Sequence, residues 1–430
     1  MDYAGALDYL DRHINREATA GRVGGLSLEP IRRLVGVLGD PQRAFKVVHV
    51  TGTNGKGSVA RMVSALLVEH GLSVGTYSSP HLERINERLA WNLEPISDHD
   101  FAALITDIAE LEPLAGVTPS YFELLTAAAL SWFAHSAVDV AVVEVGLLGR
   151  FDATNVVDAD VAVITNIGFD HTDGVGDWRA AIASEKAGII KPGSFLVLGE
   201  TDPELREIFE REPHAGTWVR GEDFDVEQDR VAVGGRLLDL RTPGGVIEDV
   251  FVPLHGRHQA DNAALAVAAA EAFFARALDV EVVRAAFAGL TVPGRFEVLG
   301  HFPLVIVDGA HNPDGASALA DTMNDEFDVG GRRILVVGML AERDVGAMLD
   351  ALDVGSADVL VACTAPSPRA VPAEVIAQIA QERFAGLDVE VVAGVEAAVN
   401  RALAIASEDD VVLVTGSIYV AGAARAHLTR

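Results

Sequence analysis

The sequence predicts an α/β protein: a P-loop domain built on a mainly parallel sheet and carrying a small β subdomain, followed by a smaller Rossmann-like α/β domain. Three observations point there. Short, strongly apolar runs alternate with helical patterning, a glycine-rich loop joins the first of these runs to a helix, and one glycine-punctuated stretch breaks the alternation. The length of 430 residues suits two or three domains at about 150 residues each.

The first alternation starts at Lys46. Val47–Val50, Val74–Tyr77, Val138–Val145, Asp160–Thr165 and Ser194–Leu198 are apolar runs of the kind made by strands buried on both faces. Between 219 and 254 the pattern changes. Val226, Val231, Val233 and Leu237 fall in short runs punctuated by Gly234-Gly235 and Gly244-Gly245, and Asp249-Val-Phe-Val252 is a further strand candidate, which predicts the β subdomain. Helical patterning returns from His258 to Leu290. Thr291-Val-Pro-Gly-Arg295 then supplies a breaker cluster, and Leu304–Val307, Ile334–Val337, Val359–Ala362, Val389–Val392 and Val411–Val414 mark the strands of the second domain. The expected division is therefore 1–295 and 296–430.

Composition narrows the function. Half the residues are hydrophobic and 22% are charged, so the chain can bury a sizeable core. The net charge of −30 repels phosphate backbones and anionic lipid, which excludes nucleic acid and membrane surfaces as expected partners. The lysines are Lys46, Lys56, Lys186 and Lys191; the other basic residues are arginines. An acidic, lysine-poor surface suits a protein kept soluble in high salt, and a halophilic source is expected. The single cysteine, Cys363, lies in an apolar run and cannot form an intramolecular disulfide. The N-terminus is acidic where a signal peptide would be basic. A cytoplasmic monomer is the expectation.

The chemistry begins at Thr51-Gly-Thr-Asn-Gly-Lys-Gly-Ser58, which follows the strand run Val47–Val50. Val59, Met62, Val63, Leu66 and Leu67 then recur at helical spacing until Gly71. Strand, glycine loop and helix form the context of a phosphate-binding loop. Gly52, Gly55 and Gly57 let backbone N–H groups close on a polyphosphate, the helix N-terminus adds positive potential, Lys56 neutralises oxygens, and Ser58 offers a hydroxyl near phosphate or Mg²⁺. The loop departs from the common GxxxxGK[ST] form because Gly57 stands between Lys56 and Ser58.

Further segments follow in order: Ser78-Ser-Pro-His-Leu-Glu-Arg-Ile-Asn-Glu-Arg88, Tyr121-Phe-Glu123, Val143-Glu-Val-Gly-Leu-Leu-Gly-Arg-Phe-Asp-Ala-Thr-Asn155, Ile167-Gly-Phe-Asp-His-Thr172 and Glu185-Lys-Ala-Gly-Ile-Ile-Lys-Pro-Gly193. Gly256-Arg-His-Gln-Ala-Asp-Asn262, Pro293-Gly-Arg-Phe-Glu297, Asp308-Gly-Ala-His-Asn-Pro313 and Thr415-Gly-Ser417 complete the set. With the loop, this series resembles the folylpolyglutamate synthase and dihydrofolate synthase family, relatives of the Mur ligases, from about Asp40 to Ala424. One departure stands out. Where the family usually has Leu-Gly-Gly-Arg, this chain has Leu147-Leu148-Gly149-Arg150.

The resemblance implies an ATP-dependent ligase of folate biosynthesis that adds L-glutamate to dihydropteroate, to folylpolyglutamates, or to both, through an acyl phosphate. It implies catalytic roles for Lys56, Glu144, His171 and Lys186, and ATP contacts from Gly52, Thr53, Asn54, Gly55, Lys56, Gly57, Ser58, Gln259, Asn262, Arg295, Asp308 and His311. Ser58, Ser79, Glu144 and His171 would hold Mg²⁺, and Lys186, carbamylated, would ligate a second ion. Ser79, Pro80, His81, Arg84 and Arg88 would meet the pteroate or folate, with Ser417 in the glutamate pocket. Tyr121 and Phe122 read equally as core aromatics or as a ligand contact. The rival readings are a Mur-type ligase for another carboxylate and a non-catalytic, nucleotide-switched binding protein.

Overall fold

The computed structural model describes residues 1–15, 27–169, 176–341 and 343–430. Two compact units divide the chain. The first runs to Pro253 and takes up His258–Leu290; the second comprises Leu254–Arg257 and Thr291–Arg430.

The first unit is organised by an eight-stranded sheet. Its strands are β1 (Lys46–Thr51), β2 (Val74–Tyr77), β3 (Leu89–Trp91), β4 (Glu94–Pro95), β5 (Val140–Glu144), β6 (Val161–Ile164), β7 (Phe195–Leu198) and β8 (Gly216–Val219). The spatial order is β4-β3-β2-β5-β1-β6-β7-β8. Strands β2, β5, β1, β6, β7 and β8 are parallel, and β3 and β4 add an antiparallel edge. Val47 and Val48, like Val142 and Val143, are all buried although neighbours point to opposite faces. That is why these strands read as unbroken apolar runs. The chain passes from β1 to β2 on one side and later from β5 to β6 on the other, so the order reverses at the carboxyl end of β1. A crevice at such a reversal is where open α/β sheets bind ligands.

Beyond this sheet, β9 (Asp225–Ala232), β10 (Gly235–Thr242) and β11 (Gly245–Val252) form an antiparallel three-stranded sheet. Its last turn is pinned to the Arg257–Phe274 helix by a buried carboxylate. Glu271 accepts from Thr242 Oγ1 (3.0 Å), Gly244 N (3.1 Å) and Leu278 N (3.3 Å), and burial pushes its pKa up. The helical patterning from His258 to Leu290 resolves into two helices, Arg257–Phe274 and Val280–Ala288. Between them Ala275 adopts a positive φ of 51° and Asp279 caps the second helix.

The second unit has a six-stranded sheet of β12 (Glu297–His301), β13 (Leu304–Val307), β14 (Arg333–Val337), β15 (Val359–Thr364), β16 (Asp388–Gly394) and β17 (Val411–Thr415). The order is β12-β13-β17-β14-β15-β16, parallel except for β12 against β13. Ile306, Leu335, Leu360, Met348 and Ile376 lie in its core. Among the described residues no helix is long and apolar enough to cross a membrane.

Candidate active site

At the carboxyl end of β1 the chain turns through Gly52–Gly55 into the Lys56–Glu69 helix. Gly55 is the N-cap with φ 83°, a conformation that a side chain disfavours. The helix buries Val59, Met62, Val63, Leu66 and Leu67, which fixes its first turn against the sheet. The loop is then tied down from β6. Thr53 N donates to Asn166 O (2.9 Å), Asn54 N to Asn166 Oδ1 (3.0 Å), and Thr165 Oγ1 to Asn54 O (2.6 Å). Thr165 and Asn166 escaped the sequence reading. The signal was there: they are polar residues directly after a strand adjacent to β1, at the edge where ligands bind.

Two lysines meet the loop. Lys56 Nζ donates to Gly52 O and Thr53 O, both at 3.1 Å, and Lys186 Nζ donates to Gly52 O at 2.7 Å. Lys186 belongs to the Trp178–Ala187 helix and is only 5% exposed, so it is a buried amine beside a phosphate loop rather than a solvated surface lysine. Glu144, the last residue of β5, is 4% exposed; its Oε2 accepts from Ser79 N (3.2 Å) and faces Gly57. Ser58 is buried on the first turn of the helix. Asn262 packs against Gly55 and donates to Gln259 Oε1 (3.1 Å). Thus Lys56, Lys186, Glu144, Ser79, Ser58, Gln259 and Asn262 are gathered around one loop. His171 lies outside the described residues.

The segment after Glu144 explains why glycine would suit position 148. Leu148 has φ 60°, so the demand there is conformational. Close approach falls to the next residue: a Cβ on Gly149 would stand 2.7 Å from Glu185 O and 2.9 Å from Lys186 Cα. Leu148 O accepts from Thr51 Oγ1 (2.7 Å), which holds the segment on β1. Beneath it, buried Asp152 accepts from Leu147 N (2.7 Å) and Thr154 N (2.9 Å), and burial raises its pKa. Phe122 fills the space beside Gly146, where a Cβ would lie 2.4 Å from the ring, and Tyr121 is buried in the core of the first unit.

The Ser79–Arg88 segment links β2 to β3. The Ser79–Pro80 peptide is cis, and Pro80 is exposed. Arg84 is an exposed guanidinium paired with Asp98 at 2.6 Å, whereas Arg88 is buried and donates to His81 Nδ1 (2.9 Å).

In the second unit, Arg295, Asp308, His311 and Ser417 collect at the carboxyl ends of the paired strands β13 and β17. Asp308 accepts from Phe296 N and Ala310 N, both at 2.7 Å. Arg295 Nη1 donates to Gly294 O (3.1 Å) and crowds Gly309, and His311 Nδ1 lies 3.0 Å from Gly309 O. Ser417 caps the Ile418–Leu428 helix through Val420 N (3.2 Å).

A phosphate loop, a buried carboxylate and a buried lysine at one sheet edge, followed by a separate α/β unit, define a Mur-type ligase. The Mur ligase middle domain matches residues 50–270, and the Mur ligase glutamate ligase domain matches residues 294–418. Dihydrofolate synthase/folylpolyglutamate synthase of Mycobacterium tuberculosis is 42% identical over 93% of this chain and 89% of its own. The solved Mycobacterium tuberculosis folylpolyglutamate synthase complexed with ADP superposes with a TM-score of 0.92 at 39% identity, covering 100% of this chain and 99% of that one. A bifunctional folylpolyglutamate synthase/dihydrofolate synthase from Yersinia pestis, complexed with AMPPNP and Mn ion, gives 0.86 at 32% identity over 100% and 98%. The chain belongs to the folylpolyglutamate synthase/dihydrofolate synthase family.

Proposed function

We propose that this chain is an ATP-dependent ligase that joins L-glutamate to dihydropteroate, to folylpolyglutamates, or to both, in folate biosynthesis. The observation that carries the reading is the convergence of Lys56, Lys186 and Glu144 on the Gly52–Ser58 loop. The match to a glutamate ligase domain and the names of the relatives supply the two substrates.

Backbone N–H groups of the loop and the helix N-terminus hold the ATP phosphates, and Lys56 draws charge from the γ-phosphoryl group. The Ser79, Pro80, His81, Arg84 and Arg88 segment receives the pteroate or folate, whose carboxylate attacks that phosphorus. An acyl phosphate and ADP result. The glutamate amine, whose protons pass to a nearby base, then attacks the acyl carbon, phosphate leaves with the bonding electrons, and an amide remains. Exclusion of water protects the acyl phosphate from hydrolysis. Ser417 serves the glutamate, Gln259 and Asn262 the adenine, and Arg295, Asp308 and His311 the nucleotide.

The donors of the loop region fit Mg²⁺, because the Glu144 carboxylate and the hydroxyls of Ser79 and Ser58 are hard oxygen ligands. His171 would complete that set, and Lys186, carbamylated, would hold a second ion. Bound there, the divalent cations neutralise phosphate charge. We further propose a domain division at 295/296 and a cytoplasmic monomer; the buried, free Cys363 suits a reducing compartment.

The test is purified protein with ATP, Mg²⁺, glutamate and either dihydropteroate or tetrahydrofolate, with products identified by mass. Glutamylated product is expected with at least one acid, and Lys56→Ala should abolish it. Undiminished product from Lys56→Ala would overturn the mechanism, and a nucleotide-switched binding protein would give no product at all.

A further inference from the structure

The segment between β2 and β3 contains a buried arginine whose guanidinium is directed at a neighbouring side chain. Arg88 ends the short 3-10 turn Ile85–Arg88 and is only 2% exposed. The two ends of the segment meet there: Ser78 N donates to Arg88 O (3.0 Å), next to the Tyr77–Leu89 pair that begins the β2–β3 ladder. Within the loop, the Glu87 carboxylate accepts from the backbone N–H groups of Leu82 (2.8 Å), Glu83 (3.0 Å) and Arg84 (2.8 Å), which fixes the chain just after His81. The turn is also held from outside. Tyr3 OH donates to Asn86 Oδ1 (2.6 Å), and Asn86 Nδ2 donates to Ile96 O (2.8 Å).

In this frame Arg88 Nε donates to His81 Nδ1 at 2.9 Å. A guanidinium is always protonated in a folded protein and has no acceptor atom, so the shared proton belongs to Arg88 and Nδ1 must offer its lone pair. The proton of the neutral imidazole then sits on Nε2.

We infer that Arg88 is a positioning residue that locks His81 in the Nε2–H tautomer, making His81 a hydrogen-bond donor to an acceptor atom of the acid substrate. The inference rests on the reading of Ser79–Arg88 as the acid-substrate segment. Arg88 selects the substrate through His81 and touches no reacting atom.

Protein labelled with ¹⁵N-histidine, observed through two-bond ¹H–¹⁵N correlations, reports the tautomer directly. The His81 signal is identified by its loss in His81→Gln. The wild type should show the pure Nε2–H pattern, and Arg88→Met should show both tautomers. KM for the acid substrate should rise about tenfold in Arg88→Met, the scale of one good hydrogen bond, with KM for ATP unchanged. The amide nitrogen of glutamine stands where imidazole Nε2 does and donates without any tautomer choice. Adding His81→Gln to Arg88→Met should therefore recover most of the lost affinity. An Nδ1–H pattern in the wild type would overturn the inference, as would an unchanged tautomer in Arg88→Met or a failed rescue. If Arg88→Met does not fold, the wild-type spectrum decides alone. A wild type without turnover would refute the ligase reading, and the spectrum would still decide the lock.

Discussion

Lowering the pH from 7 to 5 should cost this fold about 2 kcal/mol through one side chain, His49. His49 lies in the middle of β1, paired with Val143 on one side and Ala162 on the other, and is 0% exposed. Its Nε2 is 2.9 Å from Thr154 Oγ1, whose own proton is directed to Asp152. Nε2 is therefore the donor, and Nδ1 has no hydrogen-bond partner among the described residues. Burial first, and the Lys191 cation second, push the His49 pKa down from 6.5 to about 3. In the unfolded chain the same ring titrates near its ordinary value. Between those two values the unfolded state binds one more proton than the folded state, so stability falls as pH falls, by about 1.4 kcal/mol per unit below pH 6.5.

The control is His49→Gln, which keeps a polar group within reach of Thr154 and does not titrate. Its own packing cost is the same at every pH. Urea unfolding of both proteins at pH 7, 6 and 5, at fixed salt, subtracts all other titrations. The wild type should lose about 2 kcal/mol relative to the variant between pH 7 and 5. Parallel stability curves would refute the reasoning, because they would mean that His49 takes up its proton as readily folded as unfolded.

Three further outcomes are expected, two from backbone geometry and one from net charge. Gly52→Ala would place a Cβ 1.7 Å from Thr165 Oγ1 at a φ of 150° and break the Thr165–Asn54 bond; unfolding should show a loss of about 3 kcal/mol, with ATP turnover lost as well. At position 148, thermal unfolding should show Leu148→Gly within about 0.5 kcal/mol of wild type, since relief of the left-handed strain offsets the added chain entropy, whereas β-branched Leu148→Val should cost about 1–2 kcal/mol. Because the net charge is −30, the midpoint of thermal unfolding should rise as salt is added; an optimum at low ionic strength would refute the halophilic expectation.

Strands buried on both faces were the legible part of this fold. β2 and β13 have the bounds of their runs, Val74–Tyr77 and Leu304–Val307, because a strand covered from both sides carries no charged residue to break the run. The edge strands of the first sheet were not legible, whereas β16, at one edge of the second, was read from Val389–Val392. β8 (Gly216-Thr-Trp-Val219) and the β3–β4 hairpin lie at the two ends of the first sheet, where half-exposed residues blur any apolar run. The break at Ala275 carries neither glycine nor proline, and nothing in the local pattern marks Glu271 as the buried anchor of a turn. In the site, Lys56 was legible from its loop alone. That Lys186 reaches Gly52 across 134 residues of sequence is a tertiary fact, for which local spacing holds no signal.

The three glycines of the phosphate loop answer three different demands, and only together do they account for its unusual spacing. Gly52 is excluded from bearing a side chain by Thr165 of the adjoining β6 segment, and Gly55 by its left-handed backbone and by Asn262, whose Oδ1 would lie 2.5 Å from a Cβ. Both constraints tie the loop to elements that also supply candidate ligand contacts, so a change at either residue moves a binding group as well as the backbone. Gly57 is unlike them. A Cβ there would rest 3.5 Å from Glu144 Oε2, an ordinary contact, and its φ is not positive, so neither clash nor strain demands glycine. A side chain at 57 would instead lie across the carboxylate that faces the phosphate loop and shield it from any ion between them. The residue between Lys56 and Ser58 is thus best explained by the access it leaves to Glu144, which places the loop's one departure from the common spacing at the point where phosphate and metal chemistry would meet.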